Sequence, residues 1–395
     1  MNEMLFESII ITGTSCAGKS TISQELCKGT MGDGTRFEIV KAVTTREKRA
    51  DDTNYDFIND DSFDKLLKNK KLLLNSTYRN KKYGIKKSEY DKVIQKKNVP
   101  ILVITPASAI ELLTKKNCMC IFLDAEDEIL IDRWEKRSGI QSDKTARKEF
   151  DRQNKEDRSY QNNAHYILNN SDISASVSLI VSLWDYQNQG GALSQELIKS
   201  MLDCGVLLRD ADLKMIKGAS YDLRLGDEYY YDGKIRKLSD ANPFLTIEPY
   251  DYAIVSCKEM AWMPRDVIAK FGLTVGLFCQ GVILSNGPQI DPGFRGKLFC
   301  LLFNTSNRAV HLKRGNHYAT IEFNKLIGCA EPYEGRYQDK KNIIDYIPEN
   351  ALHGAINELK KEIEQLKSES RIMQNIYLGV VALMFAIISI LLVLK

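Results

Sequence analysis

The run Gly13-Thr14-Ser15-Cys16-Ala17-Gly18-Lys19-Ser20-Thr21 has the spacing G-x-x-x-x-G-K-S, and its chemistry is phosphate binding. The two glycines let the backbone curl until several N–H groups face one phosphate. Lys19 reaches the β/γ oxygens, and the Ser20 hydroxyl is placed for Mg²⁺. A helix opening at the end of the loop adds its positive dipole end. A nucleoside triphosphate such as ATP is therefore expected, held by Gly13, Ser15, Ala17, Gly18, Lys19, Ser20 and Thr21, with Lys19 as the catalytic cation.

Such a loop works only between a buried strand and a helix. Ile9, Ile10 and Ile11 supply the strand, and Ile22 and Leu26 the apolar positions of the helix. Up to about Tyr186, strand-like runs at 9–12, 99–105 and 119–123 alternate with helical stretches, the pattern of a parallel α/β sheet. Polar residues 187–192 read as a linker. Ser194 caps a helix that stops at Gly205, and residues 193–331 carry short strands between turn residues, so this second region is mostly β. Residues 332–350 read as an extended connector.

The C-terminal part has a different character. Residues 376–394 carry no charge and are rich in Leu, Ile and Val, about the length a helix needs to cross a bilayer. Arg371, Lys367, Lys360 and Lys361 flank one side, as expected of a single-pass tail anchor with cytoplasmic soluble domains. Ahead of it, residues 351–375 place Ile356, Leu359, Ile363, Leu366 and Met373 at spacings of three and four, with Ser370 interrupting. That is a short coiled-coil stalk, or a single amphipathic helix lying on the bilayer.

Composition bounds the partners. The 395 residues suffice for two domains and an appendage, and a net charge of +3 among 55 basic and 52 acidic side chains gives no global field for nucleic acid. Nine scattered cysteines without metal-site spacing point to a reduced compartment. Met1-Asn2-Glu3-Met4 lacks a basic region and a cleavage motif, so no secretory signal is expected.

Thr44-Thr45-Arg46, Arg49, Tyr55 and Tyr83-Gly84, in this order after the phosphate loop, resemble the acceptor site of guanylate kinases; the resemblance covers about 8–184. It implies that Arg46, Arg49, Tyr55 and Tyr83 hold the acceptor phosphate. Arg133, Arg137 and Arg147 match the family's lid arginines, and Asn169 its nucleotide-contacting asparagine. Arg137 and Arg147 are then catalytic, stabilising charge on the transferring phosphoryl group. The three positions at which guanylate kinases read guanine hold Ala42, Leu74 and Ile85, an aliphatic acceptor pocket that would leave guanine's donors unpaired. Two strand acids of the family are replaced by Val103 and Thr105, and Asp124 is a candidate substitute. Ribose-bisphosphate kinases, another branch without a guanine reader, remain an alternative.

Residues 218–226 (Gly-Ala-Ser-Tyr-Asp-Leu-Arg-Leu-Gly), Ile290 to Gly296 and Phe303-Asn304 resemble the dCTP deaminase and dUTPase family over about 193–326. The resemblance implies a β-rich homotrimer. The deaminase general base falls on Leu301, and the arginine-bearing phosphate segment reads Gly272 to Phe278 without an arginine. Deamination is not expected, and Asp291 reads as a turn residue. The expectation is thus a membrane-anchored phosphotransferase with a non-guanine acceptor, ATP and Mg²⁺, and a non-catalytic oligomerising domain, trimeric rather than dimeric. The alternatives are a nucleotide-pool sensor at the membrane, for example in stress or antiviral defence, and a trimeric platform for ordinary P-loop domains.

Overall fold

The computed structural model describes residues 5–31, 34–48, 54–78, 80–139, 144–285, 287, 289–347 and 355–393. Its first half is built on a five-stranded parallel sheet in the order Phe37–Ile39, Val99–Val103, Ser8–Gly13, Cys118–Asp124, Tyr166–Asn169. The isoleucine run lies at the centre because Ile9, Ile10 and Ile11 are fully buried on both faces, as a central parallel strand must be. A smaller four-stranded sheet, Tyr55–Phe57, Ala42–Thr44, Lys81–Lys86 and Leu72–Tyr78, stands beside it. The strand expected to reach Thr105 stops at Val103. Thr105 instead caps the helix Pro106–Leu113, accepting from Ser108 N–H, which satisfies an otherwise unpaired helix donor.

The polar run after Tyr186 is a fastener rather than a loose linker. Gln187 Oε1 accepts from Phe6 N–H at 2.7 Å and Asn188 Oδ1 from Leu5 N–H at 2.8 Å, pinning the approach to the first strand. Gly191–Ala192 then pairs with the strand His317–Lys325. The second half is a nine-stranded assembly around the long strands Ser220–Tyr231, Tyr252–Trp262 and Arg295–Asn304.

The two halves share one apolar core. Tyr166 and Trp184 from the first and Ile198, Met201 and Phe323 from the second belong to one buried cluster. Polar contacts cross the junction: Tyr166 Oη donates to Asp266, Asp266 pairs with Lys325 at 2.8 Å, and Arg265 N–H donates to the His165 carbonyl.

The segment expected to be an extended connector is folded onto the β sheet. Arg295 grips Asp339 through two bonds of 3.0 and 2.9 Å, Lys297 N–H donates to the Lys340 carbonyl, and Ile343 is fully buried. Residues 332–347 therefore form a strap. Beyond it runs the helix Ala355–Val393. Ile363, Leu366 and Met373 of the expected stalk are exposed on it; the side chains of Ile356 and Leu359 lie outside the described residues. The window Glu362–Ser389 is long and apolar enough to cross a membrane.

Candidate functional site

The loop after the first strand is forced into shape by its neighbours. Gly13 has φ 137°, and a Cβ there would sit 1.9 Å from the Leu123 carbonyl, so only glycine lets the chain turn against the adjacent strand. Gly18, at φ 89°, opens the helix Lys19–Leu26. A Cβ at that position would meet Asn170 Nδ2 at 2.5 Å. That amide donates to the Ala17 carbonyl at 2.8 Å, and its oxygen accepts from Ser176 Oγ. Ser15 N–H is taken by Asn154 Oδ1 at 2.9 Å. Lys19 Nζ folds onto the loop, donating to the Gly13 and Thr14 carbonyls at 3.0 and 2.6 Å, within reach of any anion the loop encloses.

Two cavities open on either side of this lysine. One, of about 340 Å³, is lined by Gly18, Thr21, Arg133, Asn170 and Ile173. The other, of about 320 Å³, is lined by Gly13, Ser15, Arg46, Tyr55, Tyr83, Thr105 and Asp157 among others. Both have Cys16, Lys19, Ser20 and Arg137 in their walls. Two bound molecules would therefore meet at one ammonium, one guanidinium and one hydroxyl. That arrangement suits charge build-up between a donor and an acceptor phosphate.

Most of the sequence-derived residues converge here. Arg133 and Arg137, one helical turn apart on Asp127–Ser138, face the same way. Arg133 donates to the Asn170 carbonyl at 3.0 Å. Arg46 lies over the Tyr55 and Phe57 rings at 5.5 and 5.6 Å, with Tyr83 edge-on to Tyr55. Arg49 lies outside the described residues.

Three expectations need correction. Arg147 stands exposed and outside both linings. It precedes Asn154 by two turns on the helix Lys144–Arg158, about 10 Å along the axis. Asn169 does not face the nucleotide cavity. Its Nδ2 donates to Glu126 Oε1, its N–H to the Cys204 carbonyl of the second half, and strand alternation gives the cavity to Asn170 instead. Ala42, Leu74 and Ile85 do not line a pocket either. They are buried together with Val40, Leu102 and Ile104 in one apolar cluster, of which Ile104 also borders the acceptor-side cavity.

The acid question also resolves. Asp124 accepts from Thr14 Oγ1 at 2.9 Å and from Arg158 Nε and an Arg158 terminal nitrogen at 2.8 and 3.1 Å. Burial lowers the Arg158 pKa, but the pairs with Asp124 and Asp127 more than offset this and hold it above the usual guanidinium range. Asp124 is thus a structural partner. The carboxylate in the acceptor-side wall is Asp157, 2% exposed, which accepts from Tyr78 Oη at 2.6 Å. Sequence reasoning missed Asp157, Asn154 and Tyr78. The signal was Asn154 and Asp157 three apart on the lid helix, the spacing that points two side chains the same way.

In the β region, the Tyr-Asp-Leu-Arg motif is a buried support. Arg224 Nε donates to Glu259 Oε1 at 2.6 Å, its backbone N–H to Oε2 and Tyr221 Oη to Oε1, with Glu259 fully buried. The segment Gly272 to Phe278 bears Val275 and Phe278 exposed to 75% and 71%, and Leu301 is an ordinary strand residue paired with Ile254.

Comparison with known proteins agrees with this division. Residues 6–185 match the guanylate kinase family, and residues 192–326 the dCTP deaminase-like family. The dCTP deaminase of Thermococcus kodakarensis is 38% identical over 139 residues, 35% of this chain and 88% of that protein. The chain joins a guanylate kinase domain to a dCTP deaminase-like domain. A dCTP deaminase of Pyrococcus furiosus is 34% identical, covering 34% of this chain and 85% of that protein. The crystal structure of guanylate kinase from Anaplasma phagocytophilum aligns over 47% of this chain and 88% of that one, at 18% identity and a TM-score of 0.36. The guanylate kinase domain thus carries the phosphate loop and both cavities, and the deaminase-like domain carries the sheet onto which the strap folds.

Proposed function

We propose that this protein is a membrane-anchored phosphotransferase that uses ATP and Mg²⁺ on an acceptor other than GMP. The observation that carries the reading is the shared wall: Lys19, Ser20 and Arg137 border both cavities, as transfer between two bound phosphates requires. The loop amides, Lys19, Arg133 and Asn170 hold the donor. Ser20 is the residue for Mg²⁺, which would supply charge neutralisation between the phosphates. Arg46, Tyr55 and Tyr83 hold the acceptor phosphate, together with Arg49.

The aliphatic side chains of Ala42, Leu74 and Ile85 argue for the non-guanine acceptor, because they offer guanine's donors no partner. Pyrimidine monophosphates and ribose phosphates are the classes to test. The dCTP deaminase-like domain is read as a non-catalytic scaffold that assembles copies, as a trimer, at a membrane entered by the helix Ala355–Val393. No nucleic-acid partner is proposed. A second reading, a nucleotide sensor with little turnover, is favoured by Val103 and Thr105 standing where the resemblance to guanylate kinases places acids.

Phosphoryl transfer separates the readings. The full chain in detergent is incubated with ATP, Mg²⁺ and a panel of nucleoside monophosphates, modified pyrimidines and ribose phosphates, beside Lys19→Ala. Acceptor-dependent ADP that vanishes in Lys19→Ala is expected. Tight ATP binding without acceptor-dependent ADP would overturn the enzyme reading in favour of the sensor.

A further inference from the structure

Residues 65–97 carry twelve basic and two acidic side chains, in a chain whose totals are 55 and 52. The excess positive charge is thus gathered at the end of the helix Asp60–Lys68, on the strands Leu72–Tyr78 and Lys81–Lys86, and on the helix Lys87–Gln95. Lys87 N–H donates to the Lys71 carbonyl at 2.9 Å, and Leu72 pairs with Lys86, so the end of the first helix and the start of the second share one surface. Lys82, Lys86, Lys92 and Lys96 are matched by Asp60 and Asp64, Asp56, Glu89 and Glu38. Lys65, Lys68, Lys70, Lys71, Lys87 and Lys97 are exposed and make no ion pair among the described residues.

Local stability does not account for these lysines. Lys70 and Lys97 follow the two helices with φ of 54° and 60°, left-handed positions where glycine or asparagine costs least. Lys87 opens the second helix, at the end where the helix dipole repels a cation. Only Lys65 and Lys68, in or beside a last turn, have the dipole in their favour. Leu67 and Ile94, each 43% exposed, stand among the lysines.

We infer that this face docks on an anionic lipid bilayer, its ammonium groups among the headgroups and Leu67 and Ile94 at the acyl boundary. Three positions then hold lysine against local preference because the surface needs the charge. Nucleic acid fits the face less well. Eleven of the twelve basic residues are lysine, whereas paired recognition of backbone phosphates favours arginine. Tyr78 and Tyr83 border the acceptor-side cavity and Tyr90 is buried, which leaves no tyrosine of this segment to stack on bases. Each lysine near an anionic surface favours docking about fivefold. A bilayer crossed by the window Glu362–Ser389 would hold the face at high effective concentration, so a weak attraction suffices. The inference shares only this anchoring with the proposed function and does not depend on phosphoryl transfer.

The test reconstitutes the full chain into nanodiscs of phosphatidylcholine alone or with phosphatidylserine and reads the acetylation rate of each lysine by mass spectrometry. A duplex RNA added to the neutral discs is the counter-probe. Acetylation of Lys68, Lys71, Lys87 and Lys97 is expected to slow at least fivefold on the anionic discs at about 0.05 M salt and to recover at about 0.5 M, with Lys136 and Lys237 unchanged. Lys68→Glu, Lys70→Glu and Lys71→Glu together should abolish the slowing at Lys87 and Lys97, and ATP binding verifies that this protein is folded. Lys97→Gly, which the left-handed backbone accepts, should weaken docking about fivefold without lowering the melting temperature. Co-elution with neutral discs reads the anchor by itself: a chain retained on anionic discs alone would refute the anchor while supporting the face. Equal labelling on both compositions, slowing that persists at high salt or in the triple variant, or stronger protection by the RNA than by the anionic discs would each overturn the inference.

Discussion

Replacing Leu74 with glutamate tests the proposed non-guanine acceptor, because Leu74 falls where the resemblance to guanylate kinases places a guanine-reading acid. Leu74 is 2% exposed, within a cluster that includes Ala42 and Ile85. Losing the leucine costs about 2 kcal/mol of apolar burial. Burial at this position should raise the new carboxyl's pKa by about 3 units, from about 4.3 to about 7.3. Folded pKa above unfolded pKa means the ionisation penalty is absent below pH 4.3 and grows as pH rises. It is about 1 kcal/mol at pH 5 and reaches about 4 kcal/mol at pH 8. Thermal and urea unfolding of the full chain at the two pH values, followed by tryptophan fluorescence, should show Leu74→Glu losing about 3 kcal/mol and about 6 kcal/mol. GMP should remain a non-substrate. A Leu74→Glu protein that is equally stable at pH 5 and 8 would refute the burial at this position, and one that phosphorylates GMP would refute the non-guanine acceptor.

Asn170→Ala removes the amide that fixes the Ala17 carbonyl and abuts Gly18; ATP affinity should fall about tenfold in an equilibrium titration, while Asn169→Ala leaves it within about twofold. His165 is buried and its pKa is lowered to about 3, by burial first and the nearby Arg265 charge second. Its folded pKa lies below the unfolded value, so stability should fall by about 1.4 kcal/mol per unit as pH drops from 6.5 toward 3, and His165→Asn should flatten that slope in acid unfolding. Asp339→Ala leaves Arg295 buried against Trp262 without its carboxylate. That should cost about 2 kcal/mol and expose the strap to protease.

The order of elements and the phosphate loop were legible in the sequence because both are written locally. A run of isoleucines specifies a central parallel strand, and two glycines at fixed spacing specify a loop that Cβ atoms would block, as Gly13 and Gly18 show. The helix cap at Ser194 and the apolar part of the helix Ala355–Val393 are local in the same sense. That Ala42, Leu74 and Ile85 would be buried together was not local information; the sequence shows only that all three are aliphatic.

Tertiary structure alone decided which side chains face the site. Asn169 and Asn170 are indistinguishable as residue types, and only the register of their strand gives one to the loop and the other to the junction between domains. Asp157 enters the cavity because the lid helix docks through Asn154 on the phosphate loop, while Arg147 is carried clear on that same helix. The strap could not be read from residues 332–347, because its partners, Arg295, Lys297 and Glu228, lie tens of residues away. Short-range spacing fixes what a segment can become; pairing across such distances fixes what it touches, and in this protein that second level sets which residues form each cavity.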